Sequence, residues 1–150
     1  MFIRGRRLRQ NENIRNLVEE TSISVNDLIM PIFLIDGKNK VEKVPSMPGI
    51  HRKTLDKQLE DIKSAIDLGI NAIIIFPAVD EKLKDPLGKE ALNKKGLIPK
   101  SIRAIKKAFP RILIITDVAL DPYNSDGHDG VLKDGEILND KTVEILCRQA

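Results

Sequence analysis

Asp117, Asp121, Asp126, His128 and Asp129 fall within thirteen consecutive residues, interrupted only by short spacers that include Pro122 and Gly127. Carboxylates and an imidazole at this density can move protons, orient a polar substrate or hold a cation. Asp121 and Asp129 lie eight residues apart across a stretch containing Pro122 and Gly127, so the chain can fold both onto one centre. Hard oxygen ligands of this kind favour magnesium over zinc. An EF-hand does not fit, because setting Gly127 at the glycine position puts Pro122 first and Lys133 where the closing glutamate belongs. Spacing alone leaves a metal site and a hydrogen-bonded polar loop both standing. Asp117 follows an apolar run and is either a catalytic carboxylate or a turn-forming one. His128 is a ligand, a general acid or a loop histidine, His51 is a loop histidine, and Tyr123, the lone tyrosine, is a site donor or a packing residue.

The elements that must position this cluster follow from apolar patterning. Leu28 to Ile35, Ile70 to Phe76 and Ile112 to Val118 are strand-like runs centred roughly forty residues apart, the spacing of a strand plus a crossover helix. Pro31 cannot donate to a ladder, so the first strand must place it at an edge, a bulge or a strand start. Leu55, Leu59, Ile62 and Ile66 form one helical stripe, with Thr54 as N-cap and Gly69 as a left-handed stop. A shorter helix is predicted after Ser101, with Ile102 and Ile105 inward and Pro110 ending it. Strand, helix, strand, helix, strand in order predicts an α/β fold with a parallel sheet. The polar excursion from Pro77 to Pro99 is too long for an ordinary strand-to-helix loop and predicts a lid or an active-site wall, with a small helix around Lys89 to Asn93. Asp134-Gly135 between short apolar pairs predicts a tight hairpin. A last helix is predicted with Asn139 or Asp140 as cap and Val143, Leu146 and Ala150 on its apolar face. The sequence then stops without a closing signal, and three strands cannot close a barrel, so the expectation is the first part of a longer protein.

The chain has 150 residues, 41% of them hydrophobic and 31% charged, with a formal net charge of +3. That is enough apolar content for one core and enough charge to keep it in solution. No apolar run approaches the length of about eighteen residues that a membrane helix needs, and no membrane is expected as a partner. Cys147 is the only cysteine, which excludes an internal disulfide and a thiolate-rich zinc site and suits a reducing, cytoplasmic compartment. Glycine-rich phosphate loops and a nucleophile elbow are absent. No lysine is buried within a strand, where desolvation could ready it for Schiff-base chemistry. Arg4, Arg6, Arg7, Arg9 and Arg15 crowd the first fifteen residues. With aromatics at 3% and none interleaved, a nucleic-acid arm is disfavoured against a solvated arm or a subunit-docking one.

Taken together, RGRRLR (Arg4 to Arg9), LIMPIFLIDG (Leu28 to Gly37), SMPGIHR (Ser46 to Arg52), LGINAIIIFP (Leu68 to Pro77), the Gly88 to Ile102 region, DVALDPYNSDGHDG (Asp117 to Gly130) and GEILNDKTVEILCRQA (Gly135 to Ala150) resemble the porphobilinogen synthase family, also called 5-aminolevulinate dehydratase. The resemblance covers nearly the whole chain, and it carries several motifs in the right order. It implies a (β/α)8 TIM barrel, of which this chain would hold about the first three βα units. Residues 1–20 would be an arm that docks onto a neighbouring subunit, usually in a homo-octamer, and residues 21–150 the start of the barrel domain. It further implies condensation of two 5-aminolevulinate molecules to porphobilinogen with loss of water, a lyase reaction in tetrapyrrole and haem biosynthesis.

Carried over by position, Asp117 matches the family's active-site aspartate. Phe76 resembles the pocket's second-strand wall, with Tyr123 a further substrate-pocket residue. Ala119, Asp121 and Asp129 stand where zinc-dependent members have three cysteines, so the chain departs from the zinc pattern and resembles the aspartate-containing, often Mg2+-responsive branch. The family's two Schiff-base lysines and its later glutamate for allosteric magnesium have no counterpart in these residues, and the 150-residue chain alone is expected to be inactive. The competing expectation is a small stand-alone α/β binding or regulatory module with an acidic metal loop.

Overall fold

The computed structural model describes residues 5–150; Arg4 of the arginine arm lies outside the described residues. Five strands form one sheet: β1 (Met30–Ile35), β2 (Val41–Lys43), β3 (His51–Lys53), β4 (Ala72–Ala78) and β5 (Leu113–Thr116), in the order β2-β3-β1-β4-β5. β3, β1, β4 and β5 run parallel and β2 is antiparallel to β3. The expectation of a parallel α/β sheet holds, but three strands were too few. β2 and β3 are three residues each and lack an apolar run, so no periodicity announces them; His51 belongs to β3 rather than to a loop. Pro31 is accommodated because β3 pairs with β1 only at Phe33 and Leu34, which leaves that flank open where the proline sits.

Four helices accompany the sheet: α1 (Glu12–Leu17), α2 (Leu55–Asp67), α3 (Leu97–Ala108) and α4 (Asn139–Gln149). α2 and α3 lie over the sheet face formed by Ile32, Leu34, Ile73, Ile75 and Ile112, and add Ile62 and Ile105 to the same buried core. Each such side chain stabilises the fold by about 1.5–3 kcal/mol relative to exposure. Gly69 ends α2 with φ at 90°, as predicted, and the Ile70 amide bonds back to Ala65. Thr54 is the N-cap of α2, as predicted, but its side chain makes no capping bond: its hydroxyl accepts from the Lys40 amide instead. α3 starts five residues before the predicted start at Ile102. Ser101 is buried in mid-helix, Gly96 is the N-cap, and Pro99 sits in the first turn, where its missing N–H costs nothing.

β6 (Leu132–Lys133) and β7 (Glu136–Ile137) form the predicted hairpin, with Asp134 and Gly135 both at positive φ, 52° and 83°. α4 begins at Asn139 with Leu138 as N-cap, so Asn139 and Asp140 lie inside the helix rather than capping it. Its buried face is Thr142 and Ile145, with Leu146 packed beside them. Val143, expected inside, is 48% exposed because Thr142 is drawn inward to bond the loop before β6. Ile145 joins Leu120 and Val131 in a second, smaller core above the strand ends.

Candidate active site

The carboxyl ends of β1, β4 and β5 open onto a cavity of about 700 Å³. Phe33 of β1 and Phe76 of β4 are register partners, and their rings stack with centroids 5.5 Å apart on its floor. Asp117 immediately follows β5 and lines the same cavity, as do Ala119, Asp121 and Tyr123. The strand fixes where Asp117 sits, and Pro122 and Leu120 turn the chain sharply behind it. Leu120 is fully buried in the upper core, and its carbonyl accepts from the amides of Tyr123 and Asn124.

The segment from Pro77 to Pro99 is a wall of this cavity and not a free lid. Asp85 and Asn124 form a backbone bridge: the Asp85 amide donates to the Tyr123 carbonyl, and the Ser125 amide donates to Asp85. The Asp85 carboxylate accepts from the amides of Leu87 and Lys89, which fixes the turn into the predicted short helix, here Lys89–Leu92. Asn124 is 1% exposed; its amide nitrogen donates to the Gly130 carbonyl at 3.0 Å and its oxygen accepts from Asp126 at 2.7 Å. The Val131 amide donates to the Thr142 hydroxyl. At the far side, Gln149 of α4 donates to the Ala119 carbonyl at 3.2 Å. Thus the aspartate loop is braced from three directions by polar bonds.

Electrostatics single out two groups. Partial desolvation of the Asp121 carboxyl, a residue that is otherwise exposed, raises its pKa, followed by hydrogen bonding with Asp129 and by the negative charges of Asp129 and Asp117. Asp129 and Asp117 are thus near enough for their charges to be felt at Asp121. Tyr123, 7% exposed, is pushed up to about 12, first by burial and then by Glu90, Asp121 and Asp117, so its phenol keeps its proton and serves as a donor. His128 and Asp126 are exposed and do not line the cavity. Among the described residues no three histidine, cysteine, aspartate or glutamate side chains gather as a metal cluster. Asp121 lines the cavity, whereas Asp129 is exposed and does not.

The sequence model named Delta-aminolevulinic acid dehydratase matches residues 2–150. The chain belongs to this family. The Delta-aminolevulinic acid dehydratase of Bradyrhizobium diazoefficiens is 49% identical over 150 residues, covering all of this chain and 42% of that protein. The chloroplastic Delta-aminolevulinic acid dehydratase of Glycine max is 44% identical over 98% of this chain and 36% of its own length. The crystal structure of delta-aminolevulinic acid dehydratase (porphobilinogen synthase) from Toxoplasma gondii, in complex with the reaction product porphobilinogen, is similar with a TM-score of 0.94 and 43% identity, covering 99% of this chain and 43% of that one. The chain thus spans less than half the length of the dehydratases it matches. β1–α2, β4–α3 and β5–α4 are three strand–helix units of a partial (β/α)8 barrel, in keeping with the expected fold. The stand-alone module gives way to this membership. Phe76, Asp117, Ala119, Asp121 and Tyr123 line one cavity, and Asp129 is not part of its lining. Glu90 and Asn124 were missed from sequence, although the glycines at 88 and 96 that bracket the Glu90 turn were a visible signal of a tight wall.

Proposed function

We propose that the whole protein to which this chain corresponds is a porphobilinogen synthase, a lyase condensing two 5-aminolevulinate molecules with loss of water. The observation that carries this is the match over 99% of the chain to a dehydratase crystallised with porphobilinogen, combined with the cavity at the strand ends that gathers Asp117, Phe76 and Tyr123. In this reading Asp117 is the catalytic carboxylate, placed by β5 to exchange protons with the reacting molecules. Phe76 packs against substrate carbon atoms, and Tyr123 donates a hydrogen bond from a phenol that stays protonated. The Schiff-base lysines that the resemblance implies would come from the remainder of the dehydratase, so the activity is proposed for the whole protein.

Asp121 and Asp129 are proposed as ligands of Mg2+, with Ala119 contributing none and a cysteine-type zinc site disfavoured. Support comes from the nearby Asp121 and Asp129 carboxyls, whose like charges add to desolvation in raising the Asp121 pKa and would be neutralised by a divalent cation. Bound there, the cation would neutralise the pair and hold the loop's shape. Residues 1–20 are proposed as an arm that docks onto a second subunit within a homo-octamer. Leu17 is 85% exposed and Leu8 58%, and Ile23 just beyond is 81% exposed, an apolar surface suited to being covered. No described helix is long and apolar enough to cross a membrane, and the cytoplasm is the proposed compartment.

Purified full-length protein incubated with 5-aminolevulinate and Mg2+ is expected to form porphobilinogen, detected as a pyrrole colour, while the 150-residue chain alone forms none. No product from the full-length protein with either Mg2+ or Zn2+ would sink the assignment.

A further inference from the structure

Glu90 is a cavity-wall carboxylate that forms no ion pair among the described residues. It sits half-buried on the short helix Lys89–Leu92 and lines the cavity that holds Asp117 and Tyr123. No Lys, Arg or His nitrogen comes within 4.0 Å of it among the described residues, although nearby Lys84 is tied up with Glu81 at 2.6 Å. Its orientation is nevertheless fixed. The Asn93 amide donates to both Glu90 oxygens, at 3.1 and 3.0 Å. Gly96 presses from behind: a Cβ there would stand 2.8 Å from Glu90 Oε1 and 3.0 Å from the Asn93 carbonyl oxygen. Glu90, Asn93 and Gly96 are spaced by threes, so one tight turn clamps the carboxylate and excludes a bulkier residue from its back.

A carboxylate ordered by a neutral amide retains its full charge and its free lone pairs. Arg52 and Lys84 also line the cavity, but neither pairs with Glu90; the carboxylate is therefore open to a cation from solution, and holding it rigid lowers the entropy lost on binding. The proposed substrate supplies such a cation. 5-Aminolevulinate carries one primary ammonium, whose three N–H donors need acceptors once water is stripped away.

We infer that Glu90 binds the ammonium group of a 5-aminolevulinate molecule, and that Asn93 and Gly96 are there to hold it in position. This rests on the porphobilinogen synthase reading, and it adds a specificity determinant to that site. Glu90 selects for the amino group while the Phe33–Phe76 floor accepts the carbon chain. Asp117 keeps its separate place at the end of β5.

The test uses the full-length enzyme and two ligands of one skeleton, 5-aminolevulinate and 4-oxopentanoate, the latter lacking the amino group. Glu90→Gln is expected to raise KM for 5-aminolevulinate about tenfold with kcat changed less than about threefold, the pattern of lost uniform binding. The inhibition constant of 4-oxopentanoate should stay unchanged, because that molecule never used the charge. Asn93→Ala, which frees Glu90 without neutralising it, should shift KM in the same direction by about threefold. If both ligands weaken equally, Glu90 is only a structural part of the wall and the inference is overturned. Unchanged KM in both variants overturns it equally. A wild-type enzyme that forms no porphobilinogen removes the parent reading and this one together, whereas an active wild type with indifferent variants removes this one alone.

Discussion

The molecule holds its lower and upper halves together by different means. Below the strand ends, β1, β4 and β5 meet α2 and α3 through isoleucine and leucine, with Ile62, Ile73 and Ile105 fully buried. Above them, the Pro77–Pro99 wall, the loop after β5 and α4 have Leu120, Tyr123, Val131 and Ile145 as their buried apolar anchors. The rest of their order comes from Asn124, Asp85 and Thr142 bonding to loop backbone. Apolar packing is non-directional and can be filled in many ways, whereas each rim bond serves one named donor or acceptor. The half that holds the cavity is therefore the half with the least redundancy.

That contrast can be broken from either side. Ile73→Ala should cost about 2–5 kcal/mol of the full-length protein's stability in urea unfolding, with KM little changed in the surviving fold. A loss under about 1 kcal/mol would mean the lower core tolerates cavities and is not what holds the sheet. Asn124→Ala should cost about 1–3 kcal/mol, because it strands the buried Gly130 carbonyl. Its signature should be local: faster proteolytic nicking between residues 119 and 131, with far-ultraviolet circular dichroism unchanged. A global loss of helix instead would erase the distinction between the halves.

The finest test concerns charge within the rim. Asp121→Ala or Asp129→Ala should lower activity more than Asp126→Ala, since Asp121 lines the cavity and Asp129 acts on its charge; equal activity across the three would leave the pair no special role. With divalent cations chelated, the pair should also tilt stability against pH. Asp121's folded pKa is raised, by burial first and then by its bond to Asp129, so the folded state favours the protonated form. That contribution is complete below the ordinary aspartate range and is lost as pH rises through the raised value. Melting temperature should therefore fall slightly over that rise, the drop staying small because the residue is exposed, and Asp129→Asn should flatten it.

The same contrast explains what the sequence disclosed. The lower half was legible because Ile73 and Ile75 alternate on one strand face, while Ile62 and Ile66 recur on one helix stripe, and burial imposes those periods. Pro31 could be placed by its missing donor alone. β2 and β3 were illegible: VEK and HRK pair through backbone bonds that carry no side-chain signature. Ser101 misled as a cap because the true start of α3 uses glycine, which leaves no side-chain mark. Of the aspartates that residue type singled out, Asp117 and Asp121 line the cavity and Asp129 does not. Glu90 was hidden, since its meaning depends on Asn93 and Gly96 closing around it in space.

The Asp85–Asn124 bridge also sets what the rim can do in time. Because the amides of Asp85 and Ser125 bond across the same junction, neither the Pro77–Pro99 wall nor the aspartate loop can swing out while the other stays. Both amides should trade hydrogen for deuterium at one shared rate, as a single opening unit. A substrate arriving at this cavity thus meets one hinged plate whose two edges move in step, and a probe on either edge reports the motion of both.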